Sequence, residues 1–533
     1  MTAKPSEPKP QGLLFAFTSW RVGALSLLSF SSGLPLGLVW IAIPTWLKVE
    51  GFDIKTIALV TLAQAPWTFK FLWAPLMDRY VPPLLGRRRG WIVLMQVGLA
   101  GLIAVLATQA KSPDVGVIAA IAIAIAFVSA SQDLAIDSYA VEVLEPSEHG
   151  PAVGARTAFY RVAMWIAGTM AISMAVVPLA VMPGHVIVTG WPFTLGLLAL
   201  IAALNIPVTI FAPEPHVPTS PPKSLVAAVW DPFVGFLARP RALELLGFVL
   251  LYNLSDNLAQ ALIRPFLVEH GYSLMDVGVA SGTVGLFATV GGTFLGGLVT
   301  QRIGVARALW LFGILQGISN LSYALLAAVP KNFVLMLSAI AVEASVTGMC
   351  AGAFGVLLIR LTSKRFSATQ FALFSSLFAL ARSFSGPPAG ALAVALGWRD
   401  FFIFTVPCVI PGLLMLQRFA PWGKKELVDL SGEESVLLPR GLPWSRAVLA
   451  FWAALTLLVS VGLGLCASAA LTALRHFKDG KGFDFSATLQ VAIAPSSFNQ
   501  AVDLIGAIAF GLVLGVAVPA YLAARGRPQK VTA

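Results

Sequence analysis

The sequence predicts an all-α integral membrane protein of fourteen transmembrane helices, on three observations. Hydrophobic residues make up 57% of the 533, formally charged ones only 11% against about a quarter in soluble domains, and the mean hydropathy is +0.83. The apolar residues gather into runs of about 20, long enough to cross the hydrocarbon layer. Those runs are continuous and rich in Leu, Ala, Val, Ile and Gly, without the ten-residue alternation of a membrane barrel.

The segments fall at 23–46, 54–76, 90–109, 115–142, 152–179, 187–211, 243–267, 275–300, 306–328, 332–361, 368–397, 400–419, 446–471 and 498–524. An even number brings the chain back to the side on which it began. With the N-terminus in the cytoplasm, most of the 36 Lys and Arg residues fall in cytoplasmic loops and segment ends, so the positive-inside rule places both termini there. The net charge of +11 is then an orientation signal and a match for anionic lipid. It gives no case for nucleic acid, because the basic residues are spread over successive loops instead of gathering on one soluble module. No apolar run of signal-peptide length precedes residue 23, so no cleaved leader is expected. Cys350, Cys408 and Cys466 lie far apart in apolar stretches and read as core residues, outside any disulfide or zinc framework.

Prolines at 213, 215, 218, 221 and 222 interrupt helix after the sixth segment and read as a stiff cytoplasmic link. The expected organisation is a six-helix bundle over 1–212, a linker over 213–242, a second six-helix bundle over 243–419, a cytoplasmic connection over 420–445, and two further helices with a tail over 446–533. Six plus six helices about a central loop resembles the major facilitator superfamily, whose halves are each built from inverted three-helix repeats.

Ionisable groups inside a membrane helix cost about 2.5–3.5 kcal/mol or more, so they face protein or water and are functional candidates. Here they are Lys70, Asp133, Asp137 and Arg161 in the first half and Asp256, Arg264, Glu343 and Arg382 in the second. Asp133 and Asp137 stand four apart on one helical face, where two like charges in a low dielectric resist ionising together, which suits one of them to carry a proton. The alternative is a permanent bridge from Asp133 to Lys70 or Arg161. Asp256 and Glu343 are open to the same two readings, proton acceptor or end of a packing bridge. Arg161, Arg264 and Arg382 stay cationic and present planar forks suited to carboxylate or phosphate, which points to an anionic or zwitterionic substrate; each also reads as a neutraliser of a neighbouring acid. Arg264, followed by Pro265, falls near the periplasmic end of its segment and reads as lining an entrance.

Gly278 with Gly282, and Gly292 with Gly296, form small-xxx-small pairs in the 275–300 segment, a seam for close helix approach, moving or static. Trp40, Trp67, Tyr139, Tyr160, Trp165 and Tyr252 lie near the charged positions and read either as stacking platforms for sugar rings or as interface anchors and core filler. The five histidines are scattered in or beside loops and form neither triad nor metal set, and no phosphate-cradling G-x-x-x-x-G-K-[ST] occurs. An enzyme is not expected, nor a cofactor; the energy is read as coming from a gradient.

Local motifs narrow the resemblance. FKFLWAPLMDRYVPPLLGRRRGW (69–91) and SASQDLAIDSYAVEVL (129–144) are similar to the AmpG muropeptide permease family, a branch of the major facilitator superfamily. So are LFGILQGISNLSYALL (311–326) and KRFSATQFALFSSLFALARSFSGPPAG (364–390) in the second half. The likeness spans about residues 20 to 420. It implies import of GlcNAc-1,6-anhydroMurNAc peptides from periplasm to cytoplasm across the bacterial inner membrane, driven by protons, during cell-wall recycling, with a link to β-lactamase induction. By motif it carries over Gly33 in SSGLP, Lys70, Asp78, Arg79, Gln132, Asp133 and Asp137. Asp78-Arg79 with Gly86-Arg87-Arg88-Arg89 looks like the superfamily's loop signature, a gating latch with the carboxylate at a helix N-terminus and Arg79 bridging the halves; an orientation signal alone also accounts for the three arginines. Trp40, Tyr139, Tyr252 and Gln132, with Arg161, Arg264 and Arg382, would contact sugar and peptide.

The family pattern Y-K-x-G-D in the seventh segment is here Tyr252-Asn253-Leu254-Ser255-Asp256, which loses the lysine and keeps the aspartate. That departure bears on specificity. A carrier of another organic anion, such as acetyl-CoA or a peptide, and a non-transporting muropeptide sensor are the competing readings. A monomer is expected.

Overall fold

The computed structural model describes residues 19–52, 63, 65–111, 113–176, 179–182, 185–187, 190–214, 221–222, 224–237, 239, 241–427, 446–478, 482, 484–495 and 498–525. The predicted stretch 54–62, much of the connection at 428–445 and the tails lie outside the described residues.

Backbone in hydrocarbon must satisfy its own hydrogen bonds, and each of the fourteen predicted segments holds a helix. We number the helices α1 Trp20–Val49, α2 (65–79), α3 Arg87–Thr108, α4 Val115–Val143, α5 (149–176), α6 Gly190–Phe211, α7 Leu225–Leu237, α8 (242–269), α9 (274–303), α10 Val305–Ala328, α11 Phe333–Leu361, α12 (367–396), α13 Trp398–Phe419, α14 Arg446–Lys478, α15 Phe485–Ile493 and α16 Phe498–Arg525. Ten of these among the described residues are long and apolar enough to span a bilayer. α8 is split at Tyr252–Asn253 and α12 at Ser385, the latter just before Pro387 and Pro388, which have no N–H to continue the ladder. The predicted ends at 179 and 187 instead enter a two-stranded antiparallel hairpin, β1 Leu179–Met182 and β2 His185–Ile187.

Glycine sets how closely the helices approach. A Cβ on Gly33 would lie 2.1 Å from the Tyr160 carbonyl oxygen, and one on Gly37 2.2 Å from that of Met164, so α1 and α5 cross backbone to backbone. Just beyond, both helices widen into facing π turns at Leu38–Ala42 and Ile166–Met170; Pro44 has no N–H for the Trp40 carbonyl. In the second half Gly292 and Gly296 of α9 meet Ser345 and Met349 of α11, while Gly348 and Gly352 meet Thr289 and Thr293 in return. Of the two pairs read from the sequence, this one forms a seam; Gly278 and Gly282 face open space among the described residues. The cores are separate: Leu34, Trp46, Ile103, Ile125 and Trp191 in the first half, and Ile263, Phe266, Tyr323, Phe401 and Phe402 in the second.

The chain divides into two compact units, the helices of Met1–Pro221 with Glu244–Leu430, and those of Pro222–Leu243 with Ser431–Ala533. In the first, contacts between its six-helix halves gather at the end formed by loops 80–86, 144–148 and 362–366. There Gly150 and Gly297 meet face to face, Gly154 lies on Phe294, and the Gln301 amide donates to the Ser147 carbonyl at 2.6 Å. In the second unit, within the stretch 213–242 read as a linker, α7 forms and packs on α16. The 33 residues of α14 extend about 50 Å, well past a hydrocarbon layer of about 30 Å. Gly511 and Gly515 of α16 seat against Leu457, and Gly464 of α14 against Ala507. Asp484 caps α15 by accepting from the Ala487 N–H at 2.9 Å, which holds its carboxyl below the ordinary value.

Candidate functional site

At the closed end, Gly86 takes φ of +83° and turns the chain directly into α3, delivering three arginines to its first turn. Asp78, at the end of α2, is fully buried, and its carboxylate caps α12 of the other half. It accepts from the backbone N–H groups of Ala368 (3.3 Å) and Thr369 (2.8 Å) and from the Thr369 hydroxyl (2.8 Å). These N–H groups have no partner within their own helix, and the helix N-terminus favours an anion. Arg88, also fully buried, donates through Nε to Glu142 of α4 at 2.8 Å and through Nη2 to Asp78 at 2.8 Å and the Ser367 hydroxyl at 2.7 Å. Arg87 reaches Asp78 at 3.2 Å and the Arg365 carbonyl at 3.1 Å. Asp78, Arg87 and Arg88 thus cross between halves, and Glu142 joins them by accepting from the Ser367 hydroxyl at 2.6 Å. Arg79, read from the sequence as the bridge, sits over the Tyr80 ring at 5.5 Å, because it lies at the exit of α2 and points along the loop. Arg89 instead holds the start of the linker, bonding Glu214 at 3.0 Å and the carbonyls of Ile210 and Ala212.

Deeper in, a cavity of about 280 Å³ lies between the halves. Ser29, Ser32, Asp133, Asp137, Arg156, Thr157 and Tyr160 line it from α1, α4 and α5; Ala351, Gly355, Ile359 and Phe371 line it from α11 and α12. The i, i+4 spacing of Asp133 and Asp137 brings both to this wall. Asp137 bonds Arg156 at 2.5 Å and Lys70 at 3.3 Å, and Asp133 accepts from Ser32. The bridge alternative for Asp133 is thus not formed: Lys70 comes from a 3₁₀ turn at Lys70–Leu72 and goes to Asp137, and Arg161 makes no ion pair among the described residues. Arg156 was missed by the sequence reading although it lies within the predicted segment; its signal was its place one turn before Tyr160, on the same face.

In the second half Asp256 of α8 and Glu343 of α11 are buried and joined through Thr347, which lies 3.0 Å from the first and 2.9 Å from the second; Gln260 also donates to Glu343. Arg382 is exposed, and within electrostatic range of Asp256, Glu343 and Arg161. Arg161, Arg264 and Arg382 form no ion pair among the described residues.

Several candidates sit away from the cavity. Gln132 is fully buried within the first bundle and donates to Ser31 at 2.9 Å. Gly33 is the α1–α5 crossing. Tyr139 donates to the Pro213 carbonyl at 2.8 Å, at the linker, and Tyr252 donates to Leu309 at 2.7 Å while stacking on Phe354. Trp40 is 40% exposed and meets Trp67 edge-on at 6.2 Å, and Arg264 is exposed near the end of α8.

Two six-helix halves enclosing a charged cavity define a multi-pass membrane transporter, and residues 25–386 match the Major Facilitator Superfamily. The chain is 40% identical over 404 residues to the anhydromuropeptide permease of Escherichia coli strain K12, which covers 75% of this chain and 80% of that one. The chain belongs to the Major Facilitator Superfamily and, within it, to the anhydromuropeptide permease family. Among solved structures it is similar to the Escherichia coli fucose:proton symporter (TM-score 0.56, 14% identity, 74% of this chain and 98% of that one) and to the human organic anion transporter MFSD10 (TM-score 0.54, 15% identity, 75% and 99%). At those identities the likeness concerns the fold.

Proposed function

We propose that the protein is a proton-coupled importer of anhydromuropeptides in the bacterial inner membrane, acting as a monomer with both termini in the cytoplasm and no cofactor. The name of the 40% identical relative supports the substrate, and the excess of Lys and Arg in the loops at the latched end supports the orientation. In a host with inducible β-lactamase, the imported fragments would feed the inducing signal.

One observation carries the coupling: the cavity cluster holds two cations, Lys70 and Arg156, against two carboxylates, Asp133 and Asp137, of which only Asp137 is ion-paired. With both acids ionised the cluster is neutral. A proton on Asp133 leaves it with one net positive charge facing the cavity, which favours the carboxylates of a stem peptide. Proton and anionic substrate then bind more tightly together than apart, the linkage a symporter needs. The cavity is at the small end of the usual ligand range of about 300–1,000 Å³, so a whole disaccharide peptide would require the halves to part further.

The test is uptake of labelled anhydromuropeptide into proteoliposomes under an imposed inward proton gradient, with acetyl-CoA and free peptide as competitors. Accumulation that a protonophore collapses is the expected result. Saturable binding without flux would leave a sensor, and preferential competition by acetyl-CoA a different carrier. Asp133→Asn mimics the protonated state, so it should retain binding within about threefold while losing gradient-driven accumulation by about tenfold; normal accumulation by that variant would end the coupling role of Asp133.

A further inference from the structure

The contact between Asp256, Thr347 and Glu343 contains a proton-counting constraint. Thr347 Oγ1 lies 3.0 Å from Asp256 Oδ1 and 2.9 Å from Glu343 Oε1, both hydrogen-bonding distances. A hydroxyl has one proton to donate. When it donates to one carboxylate, the second contact is a hydrogen bond only if the other carboxyl carries a proton and gives it to Oγ1. Both acids are at most 7% exposed, and among the described residues no Lys or Arg is within ion-pair distance of either. Two ionised carboxylates there would be buried, without an ion-pair partner among the described residues, and mutually repelling. Outside the group, a further donor, the buried Asn257 amide beside Asp256, has no partner among the described residues. The charged and titratable groups within electrostatic range of the pair are Arg382 of α12, and Tyr323 and Cys350, both ordinarily uncharged at neutral pH.

We propose that Asp256 and Glu343 hold one exchangeable proton between them, and that Thr347 is the positioning residue that lets them share it. The proposal rests on the carrier reading above and adds a proton site in the second half, separate from Asp133. On loading, a proton from water bonds to one carboxylate and the group passes from two negative charges to one. Within the loaded group, as the carboxyl O–H of Glu343 breaks toward Oγ1, the Thr347 O–H breaks toward Asp256; the proton changes owner with no change in charge. On release a carboxyl O–H breaks, the proton goes to water on the other side, and Arg382 faces the two charges left behind.

Infrared difference spectra of the full chain in liposomes, recorded between acid and alkaline pH, test this. The wild type should show the C=O stretch of a protonated carboxylic acid that Glu343→Gln or Asp256→Asn removes. Thr347→Val should move its titration midpoint by about one pH unit or more, since a hydrogen bond to a charged group is worth about a tenfold change in equilibrium; Thr347→Ser should restore it. Spectra unchanged by Glu343→Gln and Asp256→Asn, or a Thr347→Val protein that titrates as the wild type does, would overturn the proposal. Should Thr347→Val fail to fold, Thr347→Ala gives the same comparison. Uptake of labelled anhydromuropeptide is followed in the same preparations. Uptake without the band removes the proton site and leaves the substrate reading, whereas the band without uptake does the reverse.

Discussion

Replacing Arg88 by alanine is expected to cut anhydromuropeptide uptake by about tenfold or more, although the protein still inserts and folds. The guanidinium is wholly buried and is the shared partner of Asp78 and Glu142. Removing one member of such a network strands the others, at a cost of about 3–5 kcal/mol. That cost falls mainly on the state in which Asp78 and Ser367 are pressed together, because once the halves part, water can reach both acids. The equilibrium therefore moves away from the latched state, and about 1.4 kcal/mol of that cost already shifts it tenfold. Arg88→Lys should recover little, since one ammonium cannot reproduce a fork that reaches Glu142 through Nε, the Met77 carbonyl through Nη1, and Asp78 and Ser367 through Nη2. Uptake by the alanine variant at wild-type rates would remove the latch from the account.

The second large effect is expected at Asp137. Asp137→Ala leaves Lys70 and Arg156 beside each other, both mostly buried, with only Asp133 left to compensate. We expect a loss of about 3 kcal/mol in stability, seen as a lower melting temperature in detergent, together with loss of uptake. Adding Lys70→Met should return part of the stability, because it removes one of the two stranded cations. A double variant no more stable than Asp137→Ala would mean that Lys70 contributes through packing and not charge.

The helices were legible in the sequence because hydrocarbon permits so few alternatives: a continuous apolar run of about 20 residues has to become a helix. Asp133 and Asp137 were legible for a similar reason, as their spacing fixes a common face. Partners were harder. Lys70 reads from the sequence as a partner for Asp133, and only the 3₁₀ turn beneath it, which no propensity marks, turns it to Asp137. Arg88 stands where a helix meets a loop, so it reads either as part of the loop signature or as an orientation charge, and Glu142 carries no signal of its own; their burial depends on the opposite half closing over them, a contact separated by more than 200 residues. Gly33 and Gln132 carried motif resemblance but sit in the packing of the first bundle, which shows that a family motif marks the helix as readily as the cavity. The helix at Leu225–Leu237 was hidden by the prolines before it.

The measurement that bears most directly on the central claim, that the halves part at the latch to pass substrate, is a distance distribution across it. Spin labels at exposed Leu84 and Lys364, in a chain whose Cys408 and Cys466 are replaced by serine, would report the separation of the loops between α2 and α3 and between α11 and α12. One short distance is expected at rest, a second and longer population when anhydromuropeptide and acid pH are supplied together, and the long population alone in Arg88→Ala. A single distance, indifferent to substrate, pH and Arg88 while uptake proceeds, would contradict that claim.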